Sequence, residues 1–247
     1  MEKNMVKAVG KEKKMKKKNL RFERKFILEN LCLEEATQLV YANSFCFKEI
    51  YNQRKINNIY FDDHKYTFYH QNVSGTGDRK KIRLRWYHNN FDTVIDPTLE
   101  TKIKYGEVGD KVSVKMKNFK TSISELKEEG IISELMMNSS ISSNVEIREK
   151  LSLLKPALFN SYERKYYLSF CKNFRITLDF NQEFFDPDYS KYELSREFIN
   201  QREIVLELKY NLENDRVARR LTQEFNFRVS KNSKYVNGID KVKFSKY

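Results

Sequence analysis

The sequence predicts an α+β chain in which strands with one charged face flank a helical middle. Three observations predict it. Residues 80–87, Lys-Lys-Ile-Arg-Leu-Arg-Trp-Tyr, alternate so that on a strand Lys81, Arg83 and Arg85 share one face and Ile82, Leu84 and Trp86 the other. The pattern recurs at 20–28 (Arg21, Glu23, Lys25), 99–103 (Glu100, Lys102), 174–180 (Arg175, Thr177, Asp179) and 202–210 (Glu203, Glu207, Lys209). Between these strands, residues 121–138 and 144–154 read as helical, the first broken at Gly130. Such a sheet is either flat, with the charged face in water, or closed into a barrel whose polar face lines the interior and whose apolar face packs on helices. The second arrangement is inside-out. Cations crowded in low dielectric cost several kcal/mol each unless neutralised, so it implies an anionic ligand. Carboxylates among the cations would pair with them, or hold a divalent metal that bridges to a polyanion.

In chain order, residues 1–18 form a lysine-rich segment without apolar periodicity, expected to be a disordered basic tail ahead of a single domain at 19–247. After the first strand, 33–51 has helical spacing opened by Leu33-Glu34-Glu35, and 55–61 is a short β-rich run ending at Asp62-Asp63. A short helix is expected at 66–72 and a turn at 74–78, leading into the strand at 80–87. Residues 88–97 and 106–110 read as loops, and 111–116 alternate, with Lys111, Ser113 and Lys115 on one side. Strands resume at 157–170, 174–180 and 203–210. A helix is expected at 214–225, and a last one at 233–242 near the barrel mouth.

At 247 residues, 40% hydrophobic and 14% aromatic, the chain can bury a proper core. Its net charge is +13; the first 18 residues hold eight Lys and two Glu, so the remaining excess belongs to the folded body. That excess points to anionic partners: nucleotides, inorganic phosphates, nucleic acid or anionic lipid. Cys32, Cys46 and Cys171 lack metal-ligand spacing and are expected as reduced, mostly buried thiols of a cytoplasmic protein. His64, His70 and His88 are unclustered, so no zinc site is expected. No signal peptide or membrane span is expected either.

The common phosphate-cradling loops, Gly-x-x-x-x-Gly-Lys-Ser/Thr and Gly-x-Gly-x-x-Gly, are missing, as are the Gly-x-Ser-x-Gly elbow, His-Glu-x-x-His and the kinase signatures. Any phosphate chemistry must therefore come from Lys, Arg and Glu side chains on strands.

Arg21-Phe22-Glu23-Arg24-Lys25-Phe26, Asn58-Ile59-Tyr60-Phe61-Asp62, Ile82-Arg83-Leu84-Arg85-Trp86-Tyr87, Glu100-Thr101-Lys102, Tyr162-Glu163-Arg164, Arg175-Ile176-Thr177-Leu178-Asp179, Leu206-Glu207-Leu208-Lys209 and Ser233-Lys234-Tyr235 occur in the order seen in VTC domains. Over about residues 19–238 the chain resembles the polyphosphate polymerase domain of the vacuolar transporter chaperone complex, in the triphosphate tunnel metalloenzyme superfamily. The resemblance implies an eight-stranded antiparallel closed tunnel barrel with a cationic interior, flanked by helices. It also implies an ATP-dependent polymerase that moves the terminal phosphoryl group onto a growing polyphosphate chain, with a divalent metal, manganese foremost and magnesium as the alternative.

By the same resemblance Lys25, Arg83, Arg85, Lys102, Lys209 and Lys234 would be catalytic cations, and Arg21, Arg164, Arg175 and Ser233 would bind phosphates or the chain. Tyr162 would stack on the nucleobase, and Glu207 would be the principal metal ligand, with Glu23 and Glu100 contributing. The expected partners are ATP and inorganic polyphosphate. Any link to a membrane face would need a separate membrane protein, because the sensing module and membrane helices of the eukaryotic complexes have no counterpart here.

Two rivals remain. One is a hydrolase or cyclase of the same superfamily. The other is a non-catalytic polyanion-binding module; nucleic acid is the weaker partner for it, since no RNA-recognition, zinc-finger or helix-turn-helix signature occurs.

Overall fold

A computed structural model describes residues 21–105, 108–125, 130–187, 198–200 and 203–244. The lysine-rich tail expected at 1–18 lies outside the described residues, and so does the side chain of Arg21.

Eleven strands are described: β1 (Arg21–Glu29), β2 (Lys48–Asp62), β3 (Asp78–Trp86), β4 (Thr93–Ile95), β5 (Thr98–Tyr105), β6 (Val108–Lys115), β7 (Lys120–Ser122), β8 (Lys155–Leu168), β9 (Arg175–Phe185), β10 (Phe198–Asn200) and β11 (Glu203–Asn211). The helices are α1 (Leu33–Tyr41), α2 (Thr67–Val73), α3 (Gly130–Met137), α4 (Ser139–Ser142), α5 (Val145–Ser152), α6 (Asp215–Gln223) and α7 (Lys234–Ile239), the last running into a π-helical turn at Asp240–Phe244. Eight strands form one antiparallel path, β1-β11-β9-β8-β2-β3-β5-β6, with β10 beside β9; β4 and β7 pair separately.

The expected inside-out pattern is present. On the convex side, Ile59, Ile82, Leu84, Trp86 and Leu99 pack under α3, α4 and α5 through Ile131, Leu135, Ile141 and Leu151. A second cluster joins Phe26, Leu28, Ile176, Leu178, Leu206 and Leu208 to α1 and α6 through Ala36, Val40, Ala218 and Leu221. The alternate residues of the same strands carry the charges, so burying one face turns the cations inward.

The expected closed barrel is corrected in one respect: among the described residues, no hydrogen-bonded pairing joins β1 to β6. The free edge of β1 instead meets the segment after α6, through a bridge between Phe26 and Val229 and a 2.8 Å bond from Ser230 N to Lys25 O. Side chains span the remaining gap, where Lys102 on β5 reaches Glu23 on β1 at 3.3 Å.

Helix α7 plugs one end of the concave face. Tyr235, Ile239 and Val242 pack on Tyr60, Leu158 and Phe184. Its anchor is Asp62, fully buried at the end of β2, which accepts from Tyr235 Oη at 2.5 Å and from the amides of Phe68 and Tyr69, both at 2.9 Å. One carboxylate thereby ties the start of α2 and α7 to the sheet.

Several local expectations change. The helix expected at 33–51 stops at Tyr41, because Asn43–Phe45 turns the chain and Cys46 takes φ 51°; β2 then starts at Lys48. The helix expected at 121–138 is a strand, a 3-10 turn and a helix that starts at Gly130. The loop at 88–97 contains β4, and 108–110 of the loop at 106–110 begin β6. All three cysteines are free and exposed rather than buried: Cys32 caps α1, while Cys46 and Cys171 sit in turns.

Candidate functional site

The concave face gathers three groups of charge. On β1 and β11 the antiparallel register sets Lys25 opposite Glu207 and Glu23 opposite Lys209. Lys25 Nζ lies 3.0 Å from Glu23 Oε1 and 3.8 Å from Glu207 Oε2, and donates to Asn232 O at 2.9 Å. Lys209 pairs with Glu207, and Lys102 with Glu23. Burial pushes the Glu207 carboxyl up, but Lys209, Lys25 and Arg164 outweigh it and hold the group well below the usual carboxylate range. Glu23 is likewise held low: burial and Glu207 oppose ionisation, while Lys25, Lys102 and Lys209 prevail. Both acids are anions, Glu207 despite its burial.

The second group sits on β3, β5 and β6. Arg83 donates to Glu100 Oε2 through Nε at 2.8 Å and Nη2 at 2.6 Å, and Lys111 donates to Oε1 at 2.5 Å. Arg85 is fixed by Asn58 Oδ1 and the Tyr162 hydroxyl, each at 3.1 Å. Against the cost of burial, Arg83, Arg85 and Lys111 bring Glu100 down to about 2.

The third group joins β8, β9 and α7. Arg164 grips fully buried Asp179 with two parallel bonds, 2.5 and 2.7 Å, and Lys234 Nζ meets the same carboxylate at 2.6 Å. Asp179 is held at about 2 because Arg164 and Lys234 overcome its desolvation. Lys81, between the groups, donates to Ser233 Oγ at 2.8 Å. Ser233 also caps α7 by accepting from Val236 N.

Lys25, Arg83, Arg85, Lys102, Arg164, Lys209, Ser233, Lys234, Glu23, Glu100 and Glu207 are therefore brought to one concave face. Arg175 lies on that face by its alternation with Thr177 and Asp179, next to Lys209 in register; it is exposed and has no ion-pair partner among the described residues. Arg21 opens β1 opposite Asn211, its side chain outside those described. Tyr162 does not offer the expected stacking surface. Its ring is 1% exposed, with Lys234 Nζ 4.6 Å and Arg164 Cζ 5.3 Å from its centroid.

Three members were missed from the sequence-based site: Lys81, Lys111 and Asp179. Each stood on a recognised alternating face, so parity alone would have included them.

Among the described residues no three His, Cys, Asp or Glu side chains are grouped to hold a metal ion. The carboxylates on either side of Lys25 nevertheless fit a site of the magnesium kind, which takes one or two carboxylates and completes its shell with water and phosphate oxygens. Two buried oxygens nearby have no hydrogen-bond partner among the described residues: Thr177 Oγ1, on the residue paired with Glu207, and Asn232 Oδ1, on the residue whose carbonyl holds Lys25. Glu100 fits less well, since Arg83 and Lys111 occupy both its oxygens. No described helix is long and apolar enough to cross a membrane.

A family model described as the VTC domain matches residues 8–243. No curated protein matches the chain. Among solved structures, a proposed adenylate cyclase from Vibrio parahaemolyticus superposes with a TM-score of 0.50 at 12% identity, over 89% of this chain and 98% of that one. A proposed adenylate cyclase from Bacillus halodurans gives 0.48 at 12% identity, over 87% and 94%, and a Pyrococcus horikoshii OT3 protein gives 0.44 at 14%, over 88% and 94%. At 12% identity, the first of these likenesses speaks to the fold alone.

Proposed function

Since this chain belongs to the VTC domain family, we propose that it is an ATP-dependent polyphosphate polymerase whose concave face works as a phosphate-lined tunnel. One observation supports this above the rest: among the described residues, Lys25, Lys81, Arg83, Arg85, Lys102, Lys111, Arg164, Lys209 and Lys234 share the concave face with the acids Glu23, Glu100, Asp179, Glu203 and Glu207. Cations outnumber acids there, and a long linear polyanion is the ligand that relieves such an excess along its whole length. An eight-stranded interior has room for a slender chain.

In the reaction, a terminal oxygen of the polyphosphate chain attacks the γ-phosphorus of ATP. The bond to the β–γ bridging oxygen breaks, ADP leaves, and the chain grows by one phosphate. Such a step asks for positioning and charge stabilisation more than covalent help. Arg83, Arg85 and Arg164, locked by their partners, would orient phosphates by two-point contacts, while Lys25, Lys102, Lys209 and Lys234 would act as point charges along which a chain can slide. Glu207, with Glu23, would hold a divalent metal, manganese or magnesium, which would supply positive charge to offset that of the phosphates. In this reading residues 19–247 act as one cytoplasmic unit, and a membrane protein partner would draw product away.

Incubation with ATP and manganese, with products resolved by length, tests the reading. A ladder of polyphosphates is expected. Orthophosphate alone would replace it with a hydrolase, and pyrophosphate with cyclic AMP would replace it with a cyclase.

A further inference from the structure

Where the nucleoside of ATP sits is left open by the burial of Tyr162, and a second aromatic cluster answers it. Arg54 on β2 is exposed, and its guanidinium carbon lies 5.0 Å from the Tyr51 ring centroid, 5.6 Å from that of Tyr166 and 5.9 Å from that of Tyr87. Tyr51 stands edge-on to Tyr166, the centroids 5.7 Å apart at 87°. Tyr51 and Tyr87 are each 52% exposed, so much of both rings faces solvent.

We propose that Arg54, with Tyr51, Tyr87 and Tyr166, binds the base of the nucleoside triphosphate whose phosphates enter the cationic face; the inference rests on the polymerase reading above.

Three observations carry it. First, the cluster continues the charged face. Arg54 pairs in register with Arg164, Tyr166 follows Arg164 by two residues on β8, and Tyr87 follows Arg85 by two just beyond β3. Arg164 itself lies 5.3 Å from the Tyr162 centroid and 6.0 Å from that of Tyr166, so one guanidinium belongs to both the phosphate groups and the ring cluster. A triphosphate near Arg85 and Arg164 would therefore deliver its base to these rings. Second, Arg54 has no carboxylate partner among the described residues, only rings. A surface arginine serving packing alone gains more from an acid within reach, whereas one kept unpaired between rings leaves its charge for a ligand with both a π-face and a phosphate. Third, tyrosine rings held by an arginine are rigid, and stacking on them discriminates little among bases. The site suits nucleotides in general.

The test compares ATP with inorganic tripolyphosphate, binding measured by calorimetry in metal-free buffer so that no turnover intervenes. For the double variant Tyr51→Ala/Tyr87→Ala we expect the Kd for ATP to rise about ten-fold, within the range for loss of base stacking, and the Kd for tripolyphosphate to stay within about two-fold. The pair Tyr51→Phe/Tyr87→Phe, which keeps the rings, should bind ATP like the unaltered chain. Unchanged ATP affinity in the alanine pair, or an equal loss for both ligands, overturns the assignment. An unaltered chain that binds neither ligand fails the polymerase reading itself, a result separable from the other two.

Discussion

Lys81 donates a 2.8 Å hydrogen bond to Ser233 Oγ, joining β3 to the first turn of α7 across the concave face. Burial, and then Lys25, Lys102, Arg79 and Arg83, push this amine down to about 7. Its folded pKa thus lies below its unfolded one, near 10.4, so the folded chain binds fewer protons between those values and gains stability as pH rises across that window. A bound phosphate favours the charged amine. At pH 8 tripolyphosphate binding should therefore take up as much as about one proton more in the unaltered chain than in Lys81→Met, and at pH 6 the difference should vanish. Calorimetry in two buffers of unlike ionisation heat measures it; equal uptake by both proteins at pH 8 would remove Lys81 from the phosphate site.

Glu207 is 6% exposed and lies between Lys209 and Lys25. Replacing it with Gln removes a metal ligand but also an anion that competes with phosphate for those lysines. Glu207→Gln should lose at least about a hundred-fold in manganese-dependent turnover, in line with losing a main stabiliser of transition-state charge. Tripolyphosphate binding in metal-free buffer should hold or tighten. An unchanged rate would take Glu207 out of the mechanism.

Asp179 ties Arg164 and Lys234 together with no exposure of its own. Asp179→Asn leaves two inward cations facing a neutral amide, a change of the kind that costs about 3–5 kcal/mol when a buried pair loses one partner. Because the carboxyl sits at about 2, its stabilising contribution is present above the unfolded value near 3.9 and is lost as pH falls through about 2. Chemical denaturation should show the deficit at pH 7, shrinking on the way to pH 2. Saturating tripolyphosphate should stabilise the variant more than the unaltered chain, since an anion supplies what the mutation removed; an equal or smaller gain would mean that Arg164 and Lys234 do not bind phosphate.

Much of this arrangement was legible because strand parity is a local rule. Once Ile82, Leu84 and Trp86 are committed to the core, Lys81, Arg83 and Arg85 have only one other side to occupy. What parity does not report is which cations meet which acids. The Arg164–Asp179 and Lys102–Glu23 pairs depend on strand neighbours and curvature, and the Lys81–Ser233 contact spans 152 residues. Closure was misjudged for a related reason: alternation is the same in an open and a closed sheet, and nothing at 229–232 marks it as the segment that lies along β1. The covering of Tyr162 was not legible because a tyrosine flanked by cations reads alike whether its ring is covered or free.

Gly238, inside α7, offers a test of how tightly the plug helix must sit. A Cβ there would fall into Leu158 Cδ2 and within 2.6 Å of Phe184 Cδ1, both in the buried cluster under Tyr235. Two effects oppose each other in Gly238→Ala. Alanine favours the helix by about 1 kcal/mol, whereas forcing a methyl into a filled core costs about 1–3 kcal/mol. With two neighbours too close, and one of them a rigid ring, the cost should lie at the upper end and the net loss near about 2 kcal/mol. Urea unfolding should show a lower midpoint with an unchanged slope. The shift also moves Ser233 and Lys234, which α7 carries against Lys81 and Asp179, so phosphate affinity should fall with stability. A variant as stable as the unaltered chain would mean that Leu158 and Phe184 yield easily, and that α7 is a looser plug than its packing indicates.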